Sequence, residues 1–225
     1  MSKPSYYSNI YWHFTGGPVS KNDKVVWHHY RCLKDVKNNS KLREPKDALN
    51  NLKSIINNQL LKATCTELIA NSVETKEFCS VCDIPLNDLT YHRKYYGEYA
   101  IGFSADKIHK YFHPVLYLDP FYSKIINTGK EASRSDKEVS LWELLGIQRE
   151  NSLMNFVKIT NFASDYDHSF YGEREWRCIE DFCFEKEEVE AIIVPKEHIE
   201  EINRYIKEKG YHNISVMSWD LIDNI

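Results

Sequence analysis

What most constrains this chain is the spacing of its β-prone runs. YYSNIYWHF (6–14), EFCSVC (77–82), EYAIGF (98–103), VLYLD (115–119), MNFVKIT (154–160), EREWRCI (173–179), EAIIV (190–194) and ISVMSW (214–219) are short and rich in aromatic and β-branched residues. Between them, few stretches carry a helical period. Leu49, Leu52, Ile56 and Leu60 do, behind Pro45 at a first helical turn and Asp47 near its positive end, which predicts a helix over 46–61. Ile199, Ile202 and Ile206 do so within 196–209, where Gly210 closes the helix. Shorter helices are expected within PLNDLTYHRKYYG (85–97) and at 139–145, behind the capping-box pattern Ser135-Asp136-Lys137-Glu138. Strands and helices do not alternate regularly, which argues against a doubly wound parallel sheet and for a mixed α+β fold. The chain reads as a single domain over 1–225. Residues 20–45 are polar, with a Lys/Asn run, and read as a surface insertion.

Charge and composition remove some functions. A formal charge of −4 gives no bulk attraction for nucleic acid. No run of about 18 apolar residues suggests a membrane span, and the N-terminus has no signal-like segment, so a cytoplasmic protein with reduced cysteines is expected. Cys79-Ser-Val-Cys82 has the spacing of half a zinc site, with Cys65 and His92 as the nearest further ligands. Without a second such pair, a buried strand with small apolar cysteines is the better reading, and no metal is expected. The G-x-G-x-x-G, P-loop, H-E-x-x-H and G-x-S-x-G signatures are all missing.

What remains is a dispersed constellation. His13 ends the first strand beside Thr15 and Gly16-Gly17-Pro18, where glycines permit close backbone approach. Trp27, His28 and His29 read as surface residues. Tyr91, Tyr95, Tyr96 and Tyr99 surround Gly97, able to stack on a planar ring or simply to cover the sheet, and Arg93 and Lys94 add charge suited to phosphate. If EREWR is a strand, Glu173, Glu175 and Arg177 share one face, and Arg174 and Trp176 the other. That face is either an ion-paired exposed surface or a carboxylate pair lining a pocket, where one carboxylate could stabilise an oxocarbenium ion. Use of Glu173, Glu175 and His13 around a metal in a nuclease is a weaker reading, because the carboxylates are few and local.

The order of these pieces resembles the AbiGi-type abortive-infection proteins of bacterial phage defence. The resemblance rests on HFTG, LNNLKSIINNQLLKA, FCSVCDIPLNDLTYHRKYYGEYAIGF and YGEREWRC, spread between residues 10 and 180. It implies a phage-resistance or toxin–antitoxin role, with a toxin or antitoxin protein as partner. More distantly, the layout is similar to the ADP-ribosyltransferase fold of DarT-like toxins. That likeness implies an α+β fold with a mixed, mainly antiparallel split sheet and flanking helices. It also implies NAD as substrate, with nucleic acid or protein as acceptor. On it, Glu175 is the catalytic carboxylate and Glu173 orients or deprotonates the acceptor. His13 with Thr15 holds ribose, one of Tyr95, Tyr96 and Tyr99 stacks on nicotinamide, and Arg93 would meet phosphate. The sequence departs from that pattern in lacking a Ser-Thr-Ser strand and in the length of residues 20–45. The other reading is an antitoxin or sensor without an active site, whose tyrosines and Trp27 mark an interface.

Overall fold

A computed structural model describes residues 8–19, 30–70, 73–118 and 152–224. Thirteen strands are present among them. They are β1 (Ile10–Phe14), β2 (Leu60–Leu61), β3 (Leu68–Ala70), β4 (Val73–Glu74), β5 (Cys79–Cys82), β6 (Ala100–Ser104), β7 (His113–Pro114), β8 (Leu116–Leu118), β9 (Val157–Ile159), β10 (Glu175–Cys178), β11 (Phe182–Cys183), β12 (Val189–Val194) and β13 (Ser215–Ser218). The helices are α1 (Leu33–Asn39), α2 (Pro45–Asn58), α3 (Leu89–Tyr96), α4 (Ala105–Tyr111), α5 (Ile199–Glu208) and α6 (Trp219–Ile222). Seven strands form one sheet in the order β13-β12-β6-β1-β5-β10-β7. Every pairing in it is antiparallel except β12 with β13.

Helices cover both faces. On one, Leu49, Leu52 and Ile56 of α2 and Ile202 and Ile206 of α5 pack on Tyr11, Ile101, Phe103 and Ile192. On the other, Leu89 of α3 and Trp219 and Ile222 of α6 pack on Trp12, Phe14, Ala100 and Ile193. Each such aliphatic side chain contributes about 1.5–3 kcal/mol of burial. The Trp12 ring lies over Gly102, its cross-strand partner, where a Cβ would stand 2.8 Å from the indole. Gly16 packs on the backbone of Gly97, whose φ of +84° suits glycine, and a Cβ on Gly16 would come 3.1 Å from the Gly97 Cα. The close approach read from the Gly-Gly turn is therefore to the chain itself.

The sheet is split. β1 follows β6 through five paired residues but meets β5 at one, Trp12 opposite Cys82. Small paired strands lie outside it: β2 with β11, β3 with β4, and β8 with β9.

Several expectations shift. Within 30–45 the chain is not only loop: α1 buries Leu33 and Val36 beside Tyr95 and Phe170. Its two apolar residues are too few to show a period among the lysines and asparagines. The strand expected over 154–160 shortens to β9, with a 3-10 turn over Ser152–Phe156 before it. The EREWRCI strand begins only at Glu175. Glu173 closes a 3-10 turn, and Arg174 is left-handed at φ +47°. Trp27, His28, His29, the capping box at 135–138 and the helix at 139–145 lie outside the described residues. Among those described, no helix is long and apolar enough to cross a membrane.

Candidate functional site

A cavity of about 350 Å³ opens where β1 and β5 part, and it is lined from both faces of the sheet. From one face come His13, the α2 side chains Asn51, Ser54 and Asn58, and Cys79. From the other come Phe14, His92, Tyr96 and the carboxylates Glu173 and Glu175. His13 spans the gap: its Nδ1–H donates to the Ser80 carbonyl at 2.8 Å. A carbonyl only accepts, so in the neutral ring Nε2 is left as the acceptor. Burial lowers the His13 pKa, against the pull of that hydrogen bond, and so favours the neutral ring.

The deep wall is a buried ionic cluster. Glu175 and Arg177 sit two apart on β10 and so share a face, as the alternation predicted. Arg177 is fully buried and grips Glu175 at two points, Nε to Oε1 at 3.0 Å and Nη2 to Oε2 at 2.9 Å. Its remaining donors go to Glu67 and to the Asn155 and Val157 carbonyls, and its guanidinium lies over the Phe78 ring. Lys158, from β9, reaches Glu173 at 2.9 Å, Glu175 at 3.2 Å and Glu67 at 3.6 Å. Glu173 reaches the same point from its turn because Arg174 takes the left-handed conformation, and it accepts from the Tyr96 hydroxyl. Arg174 itself turns away to pair with Asp83 at 2.8 Å.

Three carboxylates thus face two cations, and the environments of Glu173 and Glu175 drive that pair apart. Burial works against the Glu175 charge, but Arg177 and Lys158 outweigh it and hold its carboxyl down at about 2. Burial raises Glu173, with the Glu175 charge adding to the rise and Lys158 opposing it. Burial opposes the Lys158 charge, yet the three glutamates win and raise its pKa. Beside them, His92 stacks on Tyr96 at 4.2 Å and is pushed down to about 3 by burial and then by Lys158.

Of the residues singled out in the sequence, His13, Thr15, Tyr96, Glu173 and Glu175 line this cavity. The Thr15 hydroxyl is spent on the Ala48 carbonyl of α2 at 2.8 Å. Tyr95, Tyr99 and Arg93 lie elsewhere. Tyr95 donates to Asp167 beneath α1, and Tyr99 meets His198 at 2.9 Å. Arg93 pairs with Asp223 and lies over the Trp219 ring. Each of these three has its polar partner within the chain. Cys79 and Cys82 leave opposite faces of β5, so the two cannot chelate one ion together. Among the described residues, no cluster of histidine, cysteine and carboxylate could hold a metal. Sequence reasoning missed Lys158 and Glu67. A lone lysine between Val157 and Ile159 in an apolar strand was the available signal for the first.

No curated protein and no solved structure matches this chain, so nothing among them supports an ADP-ribosyltransferase likeness. A family model does match, over residues 58–216, and that span holds the whole ionic cluster. It covers more than half of the 225 residues, and the chain belongs to the family described as "Putative abortive phage resistance protein AbiGi, antitoxin".

Proposed function

We propose that this protein is the antitoxin of a phage-defence toxin–antitoxin pair, binding its toxin in the cytoplasm and performing no transfer chemistry. One observation carries the reading beyond the family description: both oxygens of Glu175 are already taken, by Arg177 at 3.0 and 2.9 Å and by Lys158 at 3.2 Å. A carboxylate that stabilises an oxocarbenium ion must turn an oxygen to the substrate. Here the carboxylate balances buried cations that fix β9 against β10. The test is co-expression with a neighbouring gene product that is toxic on its own. Restored growth and co-purification of the two proteins as a stable complex are expected. Toxicity that persists with both proteins folded and no complex formed overturns the reading.

A second reading has its own observation in favour. His13, Thr15, Tyr96, Glu173 and Glu175 line one cavity, the grouping that NAD-dependent ADP-ribosyl transfer to a nucleic acid or protein acceptor would need. Calorimetry with NAD separates the two. Saturable binding that weakens in His13→Ala, with label transfer lost in Glu175→Gln, supports the transferase. No heat of binding at high NAD concentration leaves the antitoxin reading alone.

A further inference from the structure

Two thiols stand opposite one another where β5 pairs with β10. The register sets Cys178 directly across from Cys79. Directly opposed residues of an antiparallel pair point to the same face, with Cα atoms about 4.5 or 5.5 Å apart. Either spacing falls within the roughly 4.4–6.8 Å that a disulfide spans. The Cys79 thiol donates to the Glu180 carbonyl at 3.5 Å, which leaves its sulfur lone pairs unengaged by that bond. Neither cysteine, nor any of the other four, is in a disulfide in this structure. Of the two thiols, Cys178 is the one drawn down, by Cys79 beside it and against its own burial, which makes it the readier nucleophile.

We propose that Cys79 and Cys178 form a redox-active dithiol, which a small hydroperoxide converts to a disulfide joining β5 to β10. The inference is independent of the antitoxin reading. The oxidant must be small, because Cys79 is 3% exposed and Cys178 8%. Cys79 lines the cavity, and Cys178 stands directly across from it on β10. In the first step the Cys178 thiolate attacks one peroxide oxygen. The O–O bond breaks, an alcohol leaves (water, for hydrogen peroxide), and Cys178 becomes a sulfenic acid. The Cys79 sulfur then attacks the Cys178 sulfur, and the hydroxyl departs as water with the Cys79 proton. Two thiols and one hydroperoxide give one disulfide, one alcohol and one water, and both electrons go to the peroxide. Ser80, whose carbonyl holds His13, and Arg177, which anchors the ionic cluster, are the adjacent residues on the two joined strands. The bond would therefore fasten the cavity wall.

The test uses the full chain, fully reduced and then exposed to one equivalent of hydrogen peroxide. Remaining thiols are blocked, and the unreduced digest is read by mass spectrometry. The expected result is a cross-linked peptide pair containing Cys79 and Cys178, the loss of two of the six free thiols, and full recovery with dithiothreitol. Cys183→Ser, at an exposed position, leaves the cross-link intact, and Cys178→Ser abolishes it. A cross-link to Cys65 or Cys183 instead, or oxidation of Cys178 to sulfinic acid with Cys79 still free, overturns the proposal. So does an unmodified Cys79–Cys178 pair under conditions that oxidise Cys183. The wild-type digest alone reads these outcomes, so the test does not depend on whether a variant folds.

Discussion

The two halves of the sheet, on either side of the β1–β5 split, solve the same burial problem with opposite chemistry. Around β6 and β12, Ala100, Ile101, Phe103, Ile192, Ile193 and Val194 are fully buried between helices on both faces, and no ion is needed. Around β5 and β10, one face is closed by Arg177, Lys158 and three glutamates, all buried. Apolar packing is non-directional, and each contact is small. A buried ion cluster is directional and stands or falls as a set. Its members pay large desolvation costs, which only their partners offset. The apolar half can therefore lose atoms gradually, while the charged half cannot lose one member without stranding another.

The largest effect should come from Arg177→Met. It leaves Glu67 and Glu175 buried with only Lys158 opposite them, and should cost about 3–5 kcal/mol of unfolding free energy. Urea denaturation measures it. Replacing Glu67, Glu175 and Arg177 together by apolar residues of similar volume should recover most of that loss, since no charge is then stranded. A loss below about 1 kcal/mol for the single substitution would mean that the cluster is more hydrated than its burial indicates.

Acid should find the charged half next. Between its ordinary 6.5 and its folded value of about 3, His92 binds a proton more readily in the unfolded chain, so stability falls as pH drops through that window. The Glu175 contribution is intact above 4.5 and is lost as pH falls toward about 2. Glu173 runs the other way: its raised carboxyl favours the folded state at low pH, and that contribution is lost as pH rises through its folded value. The net acid limb should begin near 6.5, with His92 giving up to about 1.4 kcal/mol per pH unit. His92→Phe, which can keep the stacking on Tyr96, should lessen the slope above 4.5, where His13, also lowered by burial, still contributes, without removing the loss below it. Urea midpoints measured along the pH series decide this.

The apolar half should answer more mildly. Ile192→Val removes one methylene at a fully buried position and should cost about 1 kcal/mol, with little dependence on pH or salt.

The apolar half was also the more legible one. EYAIGF and EAIIV are nearly unbroken apolar runs, and the structure places both as central strands. The α2 helix was fixed by Pro45 and its leucine spacing to within three residues. In the charged half, alternation correctly put Glu175 and Arg177 on one face, but nothing in the run showed that the face is buried. Burial there depends on Lys158 and Glu67, which lie 17 and 108 residues from Glu175 and carry no local signal of pairing with it. The tyrosines were legible as a group and not individually. Only Tyr96 of the three candidates reaches the cavity, because Gly97 ends α3 there and the chain turns toward β6. The β7, β8 and β9 segments were blurred by their length: strands of two or three residues form only where a neighbour supplies the pairing.

The smallest expected effect isolates why the cluster matters. Lys53 of α2 and Glu201 of α5 also pair, but at the surface, with side chains 25% and 45% exposed. The charges are the same kind as those of Lys158 and Glu173. Water screens them and solvates either partner once the other is gone. Lys53→Ala and Glu201→Ala should each cost under about 1 kcal/mol, and a double-mutant cycle should return a coupling of about 0.2–1 kcal/mol that shrinks at high salt. Lys158→Met, measured in the same buffers, should cost several times more and keep its cost at high salt, because ions cannot reach a side chain 4% exposed. If the two pairs responded to salt alike, burial would not be what separates the halves, and Glu175 would be freer to meet a ligand than its contacts in this structure indicate.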